Sequence, residues 1–219
     1  MSIYTGSGNS FFGGSGATSK SIYHLHNTPG ILPPHPFVPD TITNPYGKKP
    51  FANFIAGLQA DIVLPQKWML ILSTQYEQTG GKLTADTVYS TTGPSKVNGK
   101  YQRRYDFISI NPQIGKIIFK KQVTIVVHAG FDYAFKLEQS DQFDYTDQGG
   151  QKNIVGYGGG TPETNDLRFT IGTSITRKRW SLDFNYKHGL SNYNKNSSSK
   201  VFERLLHIRL MYAFLKKKI

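Results

Sequence analysis

Seven stretches of this chain alternate large apolar and polar residues with a period of two: approximately 51–64, 67–78, 103–119, 122–137, 165–177, 179–191 and 201–215. Successive side chains of a strand point to opposite faces, so each stretch predicts a strand with one greasy and one polar side. In residues 180–187, Trp180, Leu182, Phe184 and Tyr186 stand against Ser181, Asp183, Asn185 and Lys187. Near the end, Leu206, Ile208, Leu210, Tyr212 and Phe214 stand against His207, Arg209 and Met211. What the greasy side touches decides the class of protein. Against a protein core it makes a soluble β-domain; against lipid it makes a membrane barrel with a polar interior.

The connections argue for lipid. Short ones, Pro65-Gln66-Lys67, Lys120-Lys121 and Arg177-Lys178, alternate with long polar ones near 79–102, 138–164 and 192–200. Transmembrane barrels have this rhythm, with tight periplasmic turns and longer external loops. A span needs only ~9–11 residues, and alternation hides its lipid face, so a mean hydropathy of -0.41 does not count against one. No run of ~18 apolar residues offers a spanning helix. Single-chain bacterial barrels have an even number of strands, so an eighth is expected within residues 1–50. "GILPPHPFVPD" is too proline-rich to supply it. Residues 2–10 or 16–26 could; we place it at 2–10, followed by a long Pro-rich external loop. The expected architecture is all-β, a single domain over residues 1–219 forming an eight-stranded antiparallel up-and-down transmembrane β-barrel.

Turned inward, the polar faces gather the acids Asp61, Glu77, Asp132 and Asp183 with the bases Lys136, Arg168, Lys187 and Arg209. Buried charges are tolerable only when paired, and four acids against four bases suit a closed interior. Inward Gly57, Gly115, Gly130, Gly172 and Gly189 make room for the long side chains. An eight-stranded barrel is just wide enough for side chains to fill, so the interior is expected to be plugged. The outward set is nearly free of charge apart from Lys116, whose stem can snorkel to an interface. Aromatic residues mark both strand ends: Trp68, Phe119, Trp180, Tyr212 and Phe214 near the short turns, and Tyr76, Tyr133, Phe135 and Tyr186 toward the long loops. Two such girdles belong to membrane interfaces. A soluble lipocalin-like barrel, with the apolar side inside, would instead leave the eight charges on its surface.

The net charge of +12 also has an address. Lys67, Lys120, Lys121, Arg177, Lys178, Arg179, Lys216, Lys217 and Lys218 gather at the short-turn end, making a basic periplasmic rim suited to anionic headgroups or an acidic partner. Nucleic acid is not an expected partner, because these residues sit in turns rather than among aromatics on an open sheet face.

The blocks "FIAGLQADIVLPQKWMLILSTQYEQTGG" (54–81), "YDFISINPQIGKIIF" (105–119), "VTIVVHAGFDYAFKLE" (123–138), "SLDFNYKHGLSNY" (181–193) and "LLHIRLMYAFLKK" (205–217) resemble, in order, the Bacteroidota outer-membrane β-barrel family that includes PorT-like proteins. The resemblance covers about 51–219. Its most specific pieces are Ile110-Asn111-Pro112 and the block Tyr186 to Asn192. It implies an eight-stranded outer-membrane barrel exported through the periplasm, but no single activity; some relatives are linked to assembly or secretion. Pro112 lacks an N–H, and a bulge is expected there.

Motifs for chemistry are sparse. His188-Gly189-Leu190-Ser191-Asn192 is similar to the His-x-Ser-Asn motif of lipid A deacylases but has one extra residue. In a regular strand this turns His188 outward and Ser191 inward, so no proton passes between them. His24 and His26 offer two ligands, too few for a metal site. Asp141, Asp144 and Asp147 precede Gly149-Gly150 at a spacing unlike an EF-hand loop; a weak external calcium site or a solvated acidic loop are the two readings. His128 and His207 point inward as members of a polar core, and the glycines at 156–160 do not open a helix. The chain has no cysteine, and "MSIYTGSGNS" is not a signal peptide, so export would imply that the signal has been removed. We therefore expect no cofactor, metal or catalytic residue. The expected function is an outer-membrane scaffold, surface-recognition or assembly factor contacting lipid, lipopolysaccharide or a protein partner. The alternatives are a narrow channel, a lipid A-modifying enzyme and a soluble ligand-binding barrel.

Overall fold

A computed structural model describes residues 1–24, 41–90, 93–147, 149–158, 165–194 and 198–215. In chain order the strands are β1 (Ser2–Gly13), β2 (Lys20–His24), β3 (Thr41–Ile42), β4 (Phe51–Val63), β5 (Trp68–Ser90), β6 (Gly93–Lys120), β7 (Thr124–Thr146), β8 (Lys152–Gly158), β9 (Asp166–Arg177), β10 (Trp180–Gly189) and β11 (Phe202–Ala213). Eight of them, β1, β4, β5, β6, β7, β9, β10 and β11, pair antiparallel with their neighbours. The ring closes where β1 runs against β11, from Ser2 opposite Ala213 to Gly13 opposite Phe202. The molecule is an eight-stranded up-and-down transmembrane barrel. Its first strand, β1, includes residues 2–10, the preferred of the two stretches offered by the sequence, and runs on to Gly13.

The seam is tight. A Cβ on Gly8 would lie 1.8 Å from the Leu206 carbonyl oxygen, so only glycine permits this approach. Short turns join the strands at one end. Gln66 and Lys67 adopt φ of 57° and 66°, and Lys178 adopts 57°, left-handed values that a tight reversal imposes on residues other than glycine.

The faces divide as the alternation requires. On β10, Trp180, Leu182 and Phe184 are exposed on the outside, while Asp183, Asn185 and Lys187 are buried inside. The same division holds on β7, where Val127, Phe131, Tyr133 and Phe135 face out and His128 and Asp132 face in. β1 differs: beyond the exposed Ile3 its outward residues are the polar Thr5, Ser7 and Asn9.

Two expectations are corrected. The stretches 79–102 and 138–158 are not irregular loops. β5, β6 and β7 run for 23, 28 and 23 residues, roughly twice what a span needs, and rise beyond the barrel. There β3, β2, β5, β6, β7 and β8 form one continuous sheet extension. Its inner side packs Tyr23, Leu83, Ala85, Val88, Tyr101 and Phe143, with Tyr23 and Phe143 stacked at 4.0 Å. On β5 and β6 the apolar set therefore changes parity. Leu70, Leu72, Ile108 and Ile110 face outward in the barrel, whereas Leu83, Ala85, Tyr101 and Tyr105 face inward above it. The change marks where the outer surroundings pass from apolar to aqueous.

The second correction concerns Pro112. The β6–β7 pairing skips Asn111 and Pro112, as a missing N–H requires, yet Ile110 opposite Tyr133 and Gln113 opposite Gly130 share one register. The irregularities lie instead at Asp106/Phe107 and Ile117/Phe119.

Candidate functional site

The barrel interior holds a continuous ionic network centred on Arg168 of β9, whose guanidinium is fully buried. It donates to Asp166 at 2.7 Å and Glu203 at 2.8 Å, lies 3.4 Å from Asp132, and bonds Glu77 closely. Lys187 on β10 donates to Glu77 at 2.7 Å and to Asp132 at 3.0 Å. Tyr193 closes this group from above, its hydroxyl donating to Asp166 at 3.0 Å and Glu203 at 3.3 Å. Nearer the short turns, Arg209 donates twice to Asp183, at 2.7 and 2.5 Å. Ser174 donates to the same carboxylate at 2.8 Å, His128 Nε2 stands 2.9 Å away, and Asn185 also bonds it. Tyr4 and Gln75 join the two groups: Tyr4 donates to Gln75 at 2.8 Å, Gln75 donates to Glu77 at 2.8 Å, and the Tyr4 ring lies under Arg209 at 4.8 Å.

Desolvating so many charges is costly, and their mutual hydrogen bonds are what make the interior tolerable. Arg168 also lies over the Phe107 ring at 4.6 Å. Above it, Phe12, Tyr105, Phe107, Ala134 and Val201 form a buried apolar cap, with Tyr46 and Tyr193 packed against it. The long-connection end of the barrel is thus closed by an aromatic layer over an ion-paired one.

Six of the eight expected interior charges, Glu77, Asp132, Asp183, Arg168, Lys187 and Arg209, meet in this network. Asp61 and Lys136 lie apart from it. Asp61 is at the short-turn mouth, exposed, and accepts from Gln59 at 2.8 Å. Lys136 faces inward near the cap, donates to Gln139 at 3.3 Å and lies 4.9 Å from the Tyr105 ring. The sequence pattern does not single out Asp166 and Glu203, the first and second residues of their strands, although Asp166 shares the parity of Arg168 and Glu203 that of His207 and Arg209. His207 sits with Nε2 3.0 Å from Asn53 and Nδ1 3.9 Å from Glu77.

The expected interface aromatics Trp68, Phe119, Tyr133, Phe135, Trp180 and Phe214 are exposed on the outer wall, and Tyr76, Tyr186 and Tyr212 are half-buried. Lys116 lies over Trp68 at 4.3 Å, and Trp180 packs on Tyr212 at 5.0 Å. Lys67, Lys120, Lys121, Arg177, Lys178 and Arg179 are exposed at the short-turn end, while Lys216, Lys217 and Lys218 lie outside the described residues.

The remaining motifs separate. His188 stands 3.2 Å from the Tyr186 hydroxyl, whereas Ser191 accepts from the Leu167 N–H at 3.0 Å and Asn192 accepts from the Asn194 and Val201 N–H groups at 3.1 and 2.8 Å. Asp141 is bound by Arg103 at 2.7 and 2.5 Å, while Asp144 lies on the opposite face of β7. Asp147 accepts from the Gln151 N–H at 2.9 Å, so the three carboxylates do not converge on a calcium ion. No group of three metal-ligating side chains occurs among the described residues. His24 stands 3.1 Å from the Thr43 hydroxyl, and His26 lies outside the described residues. In the extension, burial pushes the Tyr101 phenol well above its ordinary value.

No family model and no curated protein matches the chain. Among solved structures it is similar to Ail, the attachment invasion locus protein of Yersinia pestis, in complex with the heparin analogue sucrose octasulfate. The two share 12% identity over 96% of this chain and 97% of that one, with a TM-score of 0.37. It is also similar to neisserial surface protein A, NspA, at 10% identity over 97% of this chain and 96% of that one, with a TM-score of 0.40. Both are small eight-stranded outer-membrane barrels. At this overlap the likeness bears no functional weight, and the architecture rests on the closed ring itself.

Proposed function

We propose that this chain is a non-enzymatic outer-membrane protein, a plugged barrel that anchors a structured β-platform above the membrane and presents it for surface recognition or assembly. The observation that carries this reading is the combination of an apolar outer wall with an interior filled by ion pairs and capped by Phe12, Tyr105 and Phe107. A pore needs a continuous polar path; here the side chains that would line it bond one another. The long-connection end, with the extension, is the external face, and the short-turn end with its basic rim is periplasmic, following the polarity of such barrels. Lipid surrounds the wall, and the extension or the rim offers the contact to a protein or glycolipid partner. On this reading the chain is one of the PorT-like barrels of Bacteroidota, which its sequence blocks resemble.

Planar-bilayer recording of the purified chain tests it. Silence above the bilayer background is expected; discrete conductance steps would overturn the plugged interior and favour a channel. Release of acyl chains from purified lipid A would overturn the non-enzymatic reading.

A further inference from the structure

The outward face of β2, β5 and β6, above the apolar wall, carries a cluster of lysines centred on Thr84. Lys20 is the partner of Thr84 across the β2–β5 contact, and Lys100 is its partner across β5–β6. Lys49 and Lys82 form an isolated bridge, exchanging backbone hydrogen bonds of 3.0 and 3.1 Å. Lys49 Nζ donates to Thr84 Oγ1 at 3.5 Å. Residues directly opposite in a sheet share a face, so the four lysines stand on one face, with the Lys82 ammonium 5.6 Å from the Phe51 ring, while Leu83, Ala85 and Tyr101 are buried on the other side.

Acids do not cancel the patch. Lys20 lies 3.9 Å from Asp86 with both side chains largely exposed, a pair of little strength. Arg104, nearer the wall, is occupied with Asp106 at 3.3 Å. Asp144 stands opposite Lys100 on β7 and shares its face, so the four lysines outnumber two acids, Asp86 and Asp144.

Position selects the partner. Below the lysines, the same face of β5 and β6 carries Trp68, Leu70, Leu72, Ile108, Ile110 and Ile114, so the ammonium groups stand over neighbouring lipids rather than over the barrel mouth. Tyr76 ends the apolar set on β5, and Lys82 follows six residues later and Thr84 eight. At ~3.3 Å per residue along strands tilted about 45°, that is roughly 14–19 Å above the hydrocarbon edge. A phospholipid headgroup layer is only about 5–7 Å deep on each side. Among anionic lipids, only one with a taller headgroup reaches that height.

We propose that Lys20, Lys49, Lys82 and Lys100 bind the phosphorylated saccharide headgroup of an outer-leaflet glycolipid whose acyl chains lie against the wall below. This rests on the reading of the extension as the external face.

The test uses the full chain in nanodiscs of phosphatidylcholine. Three titrants are compared: lipopolysaccharide with a phosphorylated core, the same material after dephosphorylation, and phosphatidylglycerol. The wild type is set beside a variant carrying Lys20→Gln, Lys49→Gln, Lys82→Gln and Lys100→Gln, and beside one with arginine at all four positions. Phosphorylated glycolipid should bind the wild type and the arginine variant at least tenfold more tightly than the glutamine variant, and dephosphorylation should abolish the difference. Equal binding by the glutamine variant, or phosphatidylglycerol bound as tightly as the glycolipid, overturns the proposal. A heat-sensitive gel shift on each sample separates the two levels. A wild type that shifts but does not discriminate overturns the lysine site alone; a wild type that never shifts overturns the membrane reading beneath it.

Discussion

Arg168 is the residue on which the interior turns, because one guanidinium meets four carboxylates: Glu77, Asp132, Asp166 and Glu203. Arg168→Met would leave their charge to Lys187 alone and remove the fork that holds Glu203 and Asp166 in place. A loss of about 3–5 kcal/mol is expected from stranding buried charge, read as a lowered urea midpoint of the barrel in detergent. Unchanged stability would mean that water or protons neutralise the carboxylates without help from Arg168. Parity in the sequence identified Glu77, Asp132, Asp183, Arg168, Lys187 and Arg209 as inward. It did not reveal how far along the barrel axis each stands, since height depends on strand stagger. Asp61 and Lys136 therefore look equivalent to the other six, although one lies at the mouth and the other beside the cap.

At the scale of elements, the closing seam and the extension make separate predictions. Gly8→Ala would drive a methyl into the Leu206 carbonyl oxygen and the His207 ring, so β1 could not seat against β11. The variant is expected to lose the compact unboiled band on a denaturing gel; retention of that band would mean the seam can relax. Tyr101→Ala acts elsewhere. It removes a central ring from the apolar layer of the extension, which has its own contacts with Leu83 and Phe143. Protease should then cut within 83–101 while the barrel keeps its gel shift. Simultaneous loss of both would show that extension and barrel unfold as one unit.

These elements also explain what could be read in advance. The seven later barrel strands announce themselves by apolar alternation, but beyond Ile3 the outer face of β1 is polar, with Thr5, Ser7 and Asn9, and the signal is lost. The extension escaped for a different reason. Its alternation is present in Leu83-Thr84-Ala85 and in Tyr101 and Tyr105, but with parity opposite to the wall below. A polar outer face above the membrane made an ordered hairpin look like a loop.

For the whole molecule, everything depends on which medium meets the outer wall. With no cysteine in the chain, single cysteines can be placed at successive positions from Leu182 to Lys187 and spin-labelled in lipid vesicles. Collision with oxygen, which enters hydrocarbon, is then compared with collision with a water-soluble nickel chelate. Positions 182, 184 and 186 should show high oxygen and low nickel accessibility, and positions 183, 185 and 187 should be shielded from both. Nickel reaching 182, 184 and 186 would place the apolar face in water and contradict a transmembrane barrel.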